Sequence, residues 1–267
     1  MKEKIIKEVS GTLEWCASEV NIVKGCLNQC LYCYASAMSN RFHRTTPAEW
    51  GTEVVNQKRL KKGYSKRKGR IMYPSTHDIS PANLQHSIDT LRKILLKGNE
   101  VLIVSKPHFV VIERLCEEFK DYKQQILFRF SIGSTDSTVL AFWEPSAPNY
   151  DERRKCLEYA FKQGFQTSVS AEPYLDNHTE ALVADLQHIV TDSIWIGKAN
   201  MLKSRLKTNG HNSTIVLQKA DELLEIQSDA NVKLLYNKLC SNDKVKWKES
   251  IKKIVDIVRP TERGLDI

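Results

Sequence analysis

Between residues 70 and 197 short β-branched runs alternate with amphipathic stretches, and this alternation limits the possible folds more than any other feature. Arg70-Ile-Met-Tyr-Pro74, Glu100-Val-Leu-Ile-Val-Ser105, Ile126-Leu-Phe-Arg-Phe-Ser-Ile132, residues 165–171 and Ser193-Ile-Trp-Ile-Gly197 read as strands, and Val20-Asn-Ile-Val23 as an earlier one. Ser80 as N-cap and Pro81 at the first helical position open a helix to about Leu96, closed by Gly98. Further helices are expected over about 110–122, 151–163 and 177–186, with an ordered loop over 138–150. Strand-then-helix repetition implies parallel strands with right-handed crossovers. Six such units fall short of the eight of a closed barrel. Residues 213–257 read as helices, with Leu234, Leu235, Leu239, Trp247, Ile251, Ile254 and Val258 at helical spacing. The expected division is therefore an α/β domain over 1–212 and a helical cap over 213–267.

Three cysteines fall within eight residues, Cys26, Cys30 and Cys33, in Lys24-Gly-Cys-Leu-Asn-Gln-Cys-Leu-Tyr-Cys-Tyr-Ala35. One short loop with Cys-x3-Cys-x2-Cys spacing can wrap three thiolates round one corner of an iron–sulfur cube. A [4Fe–4S] cluster normally takes four cysteines, and no fourth follows nearby, so one iron is left open for a small ligand. The alternative is a zinc site completed by Cys16 and His43. Disulfides are disfavoured by an odd total of seven cysteines and by a start that lacks a secretory signal. The scattered Cys16, Cys116, Cys156 and Cys240 have no ligand spacing among themselves, and Cys116 and Cys156 fall in helices as core residues.

The cysteine spacing, with an aromatic residue before the third cysteine, resembles the radical S-adenosylmethionine (SAM) superfamily. Further elements follow in order: Ser-Thr-His-Asp78, Val-Ser-Lys106, Phe-Ser-Ile132, Glu144-Pro-x-Ala-Pro148 with Arg153-Arg154, Ser168-Val-Ser and Glu172-Pro173. Together, from about Val20 to Leu186, they resemble its branch of spore photoproduct lyases and "DNA repair photolyases". The resemblance implies a partial (β/α)6 TIM barrel, a [4Fe–4S] cluster held by Cys26, Cys30 and Cys33, and SAM chelated on the open iron. One electron from the cluster then cleaves SAM to a 5′-deoxyadenosyl radical, the cofactors carrying the hard chemistry. It also implies that Tyr32 and Tyr34 lie near the adenine, that Lys106 and Ser131 hold SAM, and that Glu144 and Arg153 brace that site. Two departures are visible. No Gly-Gly-Glu follows the strand at 70–74, where Ser75 to Asp78 stand instead, and no cysteine there could return a hydrogen atom to a substrate radical.

In parallel α/β folds the active site forms where strands end at their carboxyl side. The polar residues at those ends are Ser75, Thr76, His77 and Asp78, then Ser105 and Lys106, Ser131, Glu172, Lys198 and Asn200. Of these, Ser75, His77 and Asp78, with Tyr32 and Tyr34, are the catalytic candidates. Lys106, Ser131, Glu144, Arg153, Glu172, Lys198 and Asn200 are the cofactor-binding candidates.

The chain carries a formal net charge of +8, and residues 58–70 hold eight basic side chains and no acid. Such a run reads as a loop beside the active-site rim, mobile through self-repulsion until phosphates neutralise it, with Tyr64 able to stack on a base. Nucleic acid is thus one candidate substrate; a peptide or small metabolite is another, and a zinc-stabilised nucleic-acid-binding module is the reading from a different class. No run approaches the ~18 apolar residues of a membrane span. The expected setting is the reducing cytoplasm, with a flavodoxin- or ferredoxin-type partner supplying electrons.

Overall fold

The computed structural model describes residues 8–265; the charged start, residues 1–7, lies outside them. In chain order the elements are β1 Ser18–Glu19, β2 Val23–Lys24, α1 Tyr34–Arg41, β3 Val54–Val55, α2 Gln57–Leu60, β4 Ile71–Tyr73 and α3 Leu84–Leu95. Then come β5 Val101–Ser105, α4 Phe109–Glu118, β6 Ile126–Ser131, α5 Ser137–Trp143, α6 Tyr150–Lys162, β7 Gln166–Ala171, α7 Thr179–Leu186 and β8 Ile194–Ile196. The chain closes with α8 Leu202–Thr208, α9 Thr214–Ile226, α10 Asp229–Leu239, β9 Val245–Trp247 and α11 Glu249–Val255.

Seven strands form one sheet in the order β1-β4-β5-β6-β7-β8-β9, and every pairing is parallel. The edge strands β1 and β9 do not pair, so this is the open, partial barrel that the alternating pattern implies. Each crossover helix buries an apolar stripe on the sheet. In α3 it is Ile88, Leu91, Ile94 and Leu95 that are buried, at the spacing of one helical face, and Gly98 ends the segment in the left-handed region at φ +71°. Asn149 caps α6 by accepting from the Glu152 amide at 3.0 Å.

Several local expectations need correction. Val20-Asn-Ile-Val23 is not one strand: β1 lies just before it, while Val23 pairs antiparallel with Val55 in a separate two-stranded ribbon. Residues 81–83 are a turn, and α3 starts only at Leu84; the Ser80 hydroxyl donates to Glu53 at 2.6 Å and accepts from the Asn83 amide at 3.3 Å, so it caps that turn ahead of the helix. The expected loop at 138–150 contains α5, capped by Asp136, whose carboxylate accepts from the Thr138 amide at 2.7 Å. Trp247 stands in β9, so the tail read as helices alone also donates the seventh strand. Leu239 and Ile251 are buried there, whereas Leu234 and Val258 are exposed.

The inner face of the barrel is plugged at the amino ends of its strands. Trp15 and Trp195 meet edge to face at 5.6 Å, among Met72, Leu102 and Leu127. The fully buried Arg129 guanidinium lies 4.9 Å from the Trp15 ring and donates to Ser168 Oγ at 2.8 Å. Lys248, equally buried, pairs with Glu14 at 2.7 Å and donates to the Gly11 carbonyl at 2.7 Å. This bond ties the N-terminal 3-10 turn Gly11–Glu14 to the residue after β9, across the gap between the edge strands. The chain therefore closes the gap between the edge strands with side chains, and the Gly11–Glu14 turn also lines the cavity under the cysteine loop.

The basic run also differs from expectation. It is anchored, and its second half lies away from the catalytic rim. The Arg67 amide donates to Asn99 Oδ1 at 2.8 Å, and its guanidinium to Ser18 Oγ at 3.0 Å. Asn99 Nδ2 reaches the Ser65 carbonyl at 3.1 Å, and Lys66 donates to the Gly98 carbonyl. Gly98, Asn99 and Ser18 stand where β5 and β1 begin, the end opposite the active site of a parallel barrel. Backbone and amide acceptors there outweigh the repulsion between like charges that would have freed the loop.

Candidate functional site

The cysteine loop lies over the carboxyl ends of the strands, and its shape is set by backbone bonds. Gly25 sits at φ +90°, and a Cβ there would come within 2.1 Å of the Thr52 carbonyl oxygen, so only glycine fits. The Cys26 amide donates to the Trp50 carbonyl at 2.9 Å, and the Leu31 amide to the Trp143 carbonyl at 2.9 Å. Asn209, just beyond α8, spans the carbonyls of Leu31 and Cys33, both at 3.0 Å. All three cysteines are free thiols and line one cavity of about 710 Å³. Burial is the first cause that raises their pKa values, Cys30 to about 12, so a thiolate here requires a cationic centre beside it. Cys16 is packed into the barrel plug with its thiol on the Thr12 carbonyl at 3.3 Å, and His43 is exposed, so the alternative zinc set is not assembled.

Behind the loop lies a buried charge network. Glu144, 2% exposed, pairs with Arg153 at 2.6 Å and with Lys106 at 3.6 Å, and it accepts from the Tyr32 hydroxyl. Arg153, fully buried, also donates to the Pro148 carbonyl at 2.7 Å and the Ser131 carbonyl at 3.0 Å. The Glu-Pro-x-Ala-Pro segment thus wraps the guanidinium. Burial would raise the Glu144 pKa, but Arg153 and then Lys106 hold it below the ordinary value. Burial likewise works against the Lys106 charge, and Cys30 and Glu144 more than offset it, so the ammonium persists at the cavity wall. Its Nζ lies 5.9 Å from the Tyr32 ring centroid.

A second brace joins the loop to β4 and β5. Asp78 accepts from Asn28 Nδ2, the Lys106 amide and the Ile79 amide, each at 2.8 Å, and from the Ser105 hydroxyl. With four donors in place it acts as a tie between elements. His77 is similarly committed: Nε2 accepts from the Ile22 amide at 3.2 Å and Nδ1 faces the Asp78 carbonyl at 2.9 Å, which assigns the proton to Nδ1. Burial pulls its pKa from 6.5 down to about 4. The unfolded state therefore takes up a proton between those values while the folded state does not, and stability falls as pH falls through that window. His77→Gln, which keeps one acceptor and one donor, is expected to remove about 3 kcal/mol of this acid sensitivity. The check is the wild-type-minus-variant difference in denaturant unfolding free energy between pH 6.5 and 4.

The same cavity gathers Tyr34, Ser75, Ser131, Glu172, Lys198 and Asn200 on one rim, so every strand-end candidate converges there. Glu144 and Arg153 stand behind the wall. The Tyr34 hydroxyl donates to the Ser75 carbonyl. Lys198 is drawn towards Asp229 at 3.3 Å, and Glu172 towards Lys248 at 3.6 Å. Sequence reasoning missed Asn21, whose Oδ1 accepts from the amides of Ser75 and Thr76 at 2.7 and 2.9 Å and whose Nδ2 donates to Ser75 Oγ at 2.8 Å. It also missed Arg205, whose guanidinium lies 6.0 Å from the Tyr34 ring. Asn28 was missed as well, although its place inside the first cysteine interval is a local signal; Arg205 and Asn209 carry none.

An open parallel barrel whose mouth is covered by a three-thiol loop, backed by a buried lysine–glutamate–arginine network, is the frame of an enzyme built round a metal centre. A family model described as the radical SAM superfamily matches residues 20–190, and the chain belongs to that superfamily of enzymes. Its members use a [4Fe–4S] cluster and SAM. An uncharacterized protein, ORF301, of Acidianus two-tailed virus is 24% identical over 229 residues, covering 80% of this chain and 75% of its own. Among solved structures, spore photoproduct lyase complexed with dinucleoside spore photoproduct is similar in fold, with a TM-score of 0.53 and 15% identity. The match covers 79% of this chain and 66% of the lyase. Streptococcus suis SuiB bound to precursor peptide SuiA is also similar, with a TM-score of 0.54, 13% identity, and 93% of this chain against 52% of SuiB covered. The chain thus spans about two thirds of the lyase and about half of SuiB. No helix among the described residues is long and apolar enough to cross a membrane.

Proposed function

We propose that Cys26, Cys30 and Cys33 hold one [4Fe–4S] cluster and that the protein reductively cleaves SAM, abstracting hydrogen from a nucleic acid substrate in lesion repair or base modification. The observation that carries this reading is the set of three free thiols on one backbone-fixed loop facing a 710 Å³ cavity at the carboxyl ends of the strands. When bound, the cluster supplies the electron that splits SAM. The chain's own residues do the rest. Lys106 presents its ammonium at the cavity wall to the SAM carboxylate, held there by Glu144. Tyr32 and Tyr34 flank Cys33, and Ser131 and Asn200 offer polar groups on the same rim. The recessed cavity excludes bulk water from a reactive radical. A flavodoxin- or ferredoxin-type donor in a reducing cytoplasm fits this chemistry. A peptide substrate is the second reading, supported by the similarity in fold to SuiB bound to precursor peptide SuiA.

The test is anaerobic reduction with dithionite followed by chromatography for 5′-deoxyadenosine. Lys106→Ala is expected to keep the cluster and weaken SAM binding by about tenfold to a hundredfold, the worth of one hydrogen bond to a charged group. No deoxyadenosine from the wild-type protein, or unchanged SAM affinity in the variant, counts against this assignment.

A further inference from the structure

A second cavity, of about 370 Å³, adjoins the catalytic one, and Ala35 and Thr76 line both. Three cations, Lys24, Arg44 and Arg59, stand in its wall, and no acid lines it. All three are exposed, and no carboxylate lies within ion-pair distance of Arg44 among the described residues. Glu49 neighbours Lys24 from outside the wall. The cations are displayed on fixed elements. Lys24 belongs to β2, which is held by its pairing with Val54 in β3. Arg44 follows α1, where its amide donates to the Ser39 carbonyl at 2.9 Å. Beside Arg44 the Phe42 ring is 57% exposed, with the guanidinium carbons of Arg44 and Arg41 at 5.3 and 6.0 Å from its centroid.

We infer that this groove is the entry track for a single-stranded polynucleotide, a reading that rests on the proposed radical SAM chemistry next door. Phosphates lie along Lys24, Arg44 and Arg59, one base stacks on Phe42, and the next nucleotide turns past Thr76 into the catalytic cavity. An exposed apolar ring flanked by two guanidinium groups suits a base face and its phosphates. A base must leave a duplex stack to reach a recessed site, so the strand is single or locally opened. An acidic peptide would use the cations but leave the ring without a role. The groove is also coupled to the rim. Arg59 Nη1 donates to the Asn21 carbonyl at 2.7 Å, and the Asn21 side chain holds Ser75 and Thr76. Of the basic run at 58–70 it is therefore Arg59 that reaches this groove, and not Lys66 and Arg67, which are held at the opposite end of the strands.

The experiment is fluorescence anisotropy with short labelled single-stranded DNA and RNA on the cluster-loaded protein, across a salt series. Each lost phosphate contact lowers the slope of log affinity against log salt by about 0.7 for a single strand, so Lys24→Gln with Arg44→Gln should lower it by about 1.4. Phe42→Ala should weaken binding by roughly fivefold to over a hundredfold with the slope unchanged. A charge-matched control, Lys97→Gln with Lys120→Gln on the loops entering β5 and β6, should move neither quantity. The inference is overturned if the groove variants bind with wild-type affinity and slope, if neither strand binds the wild type, or if polyglutamate displaces the strand as well as unlabelled DNA does. Deoxyadenosine formation by the wild type without nucleic acid reports on the radical SAM reading separately.

Discussion

Changing Cys26, Cys30 and Cys33 together to alanine is expected to abolish the visible absorbance of the reconstituted protein and all formation of 5′-deoxyadenosine. Iron and sulfide should fall from about four each to none. The barrel should remain folded, because the loop is positioned by contacts that alanine keeps. These are the Cys26 amide on Trp50, the Leu31 amide on Trp143 and the Asn209 bridge. The tie from Asn28 to Asp78 is likewise untouched. Circular dichroism alongside iron analysis separates the two effects. A triple variant that retained a full cluster would show that the ligands lie elsewhere in the chain.

Glu144→Gln is expected to produce the largest loss of stability among single changes at the site. The carboxylate is 2% exposed and stands between a fully buried Arg153 and the cavity-wall Lys106. Removing its charge leaves two cations in a low-dielectric setting with no counter-charge, a situation that costs about 3–5 kcal/mol. The urea midpoint should fall by about 1–2 M, given slopes of about 3 kcal/mol per M. Glu144→Leu combined with Arg153→Met, which removes both partners at similar volume, should recover part of that loss. If Glu144→Gln unfolds at the wild-type midpoint, the network contributes nothing to stability and serves the site alone.

The sequence by itself determined the features that rest on local pattern. Hydrophobic period placed the strands at β5, β6, β7 and β8 within about two residues of their observed bounds, and the stop at Gly98 closed its helix. The cysteine spacing and the order of strand-end polar groups marked one rim, and that rim lines a single cavity. What depended on distance in space was decided by the tertiary structure. Val245–Trp247 is three residues long, too short to show a period, and became a strand only because β8 offered an unpaired edge. Asn21, Asn209 and Arg205 reach the site across the fold. His77 and Asp78 looked like reactive groups at a strand end, yet burial and backbone partners commit them to bracing. The basic run shows the same limit: its charge was legible, but which acceptors lay within reach of each cation was not. Residue type and spacing specify what chemistry a chain carries; only packing determines which side chains are left free to perform it.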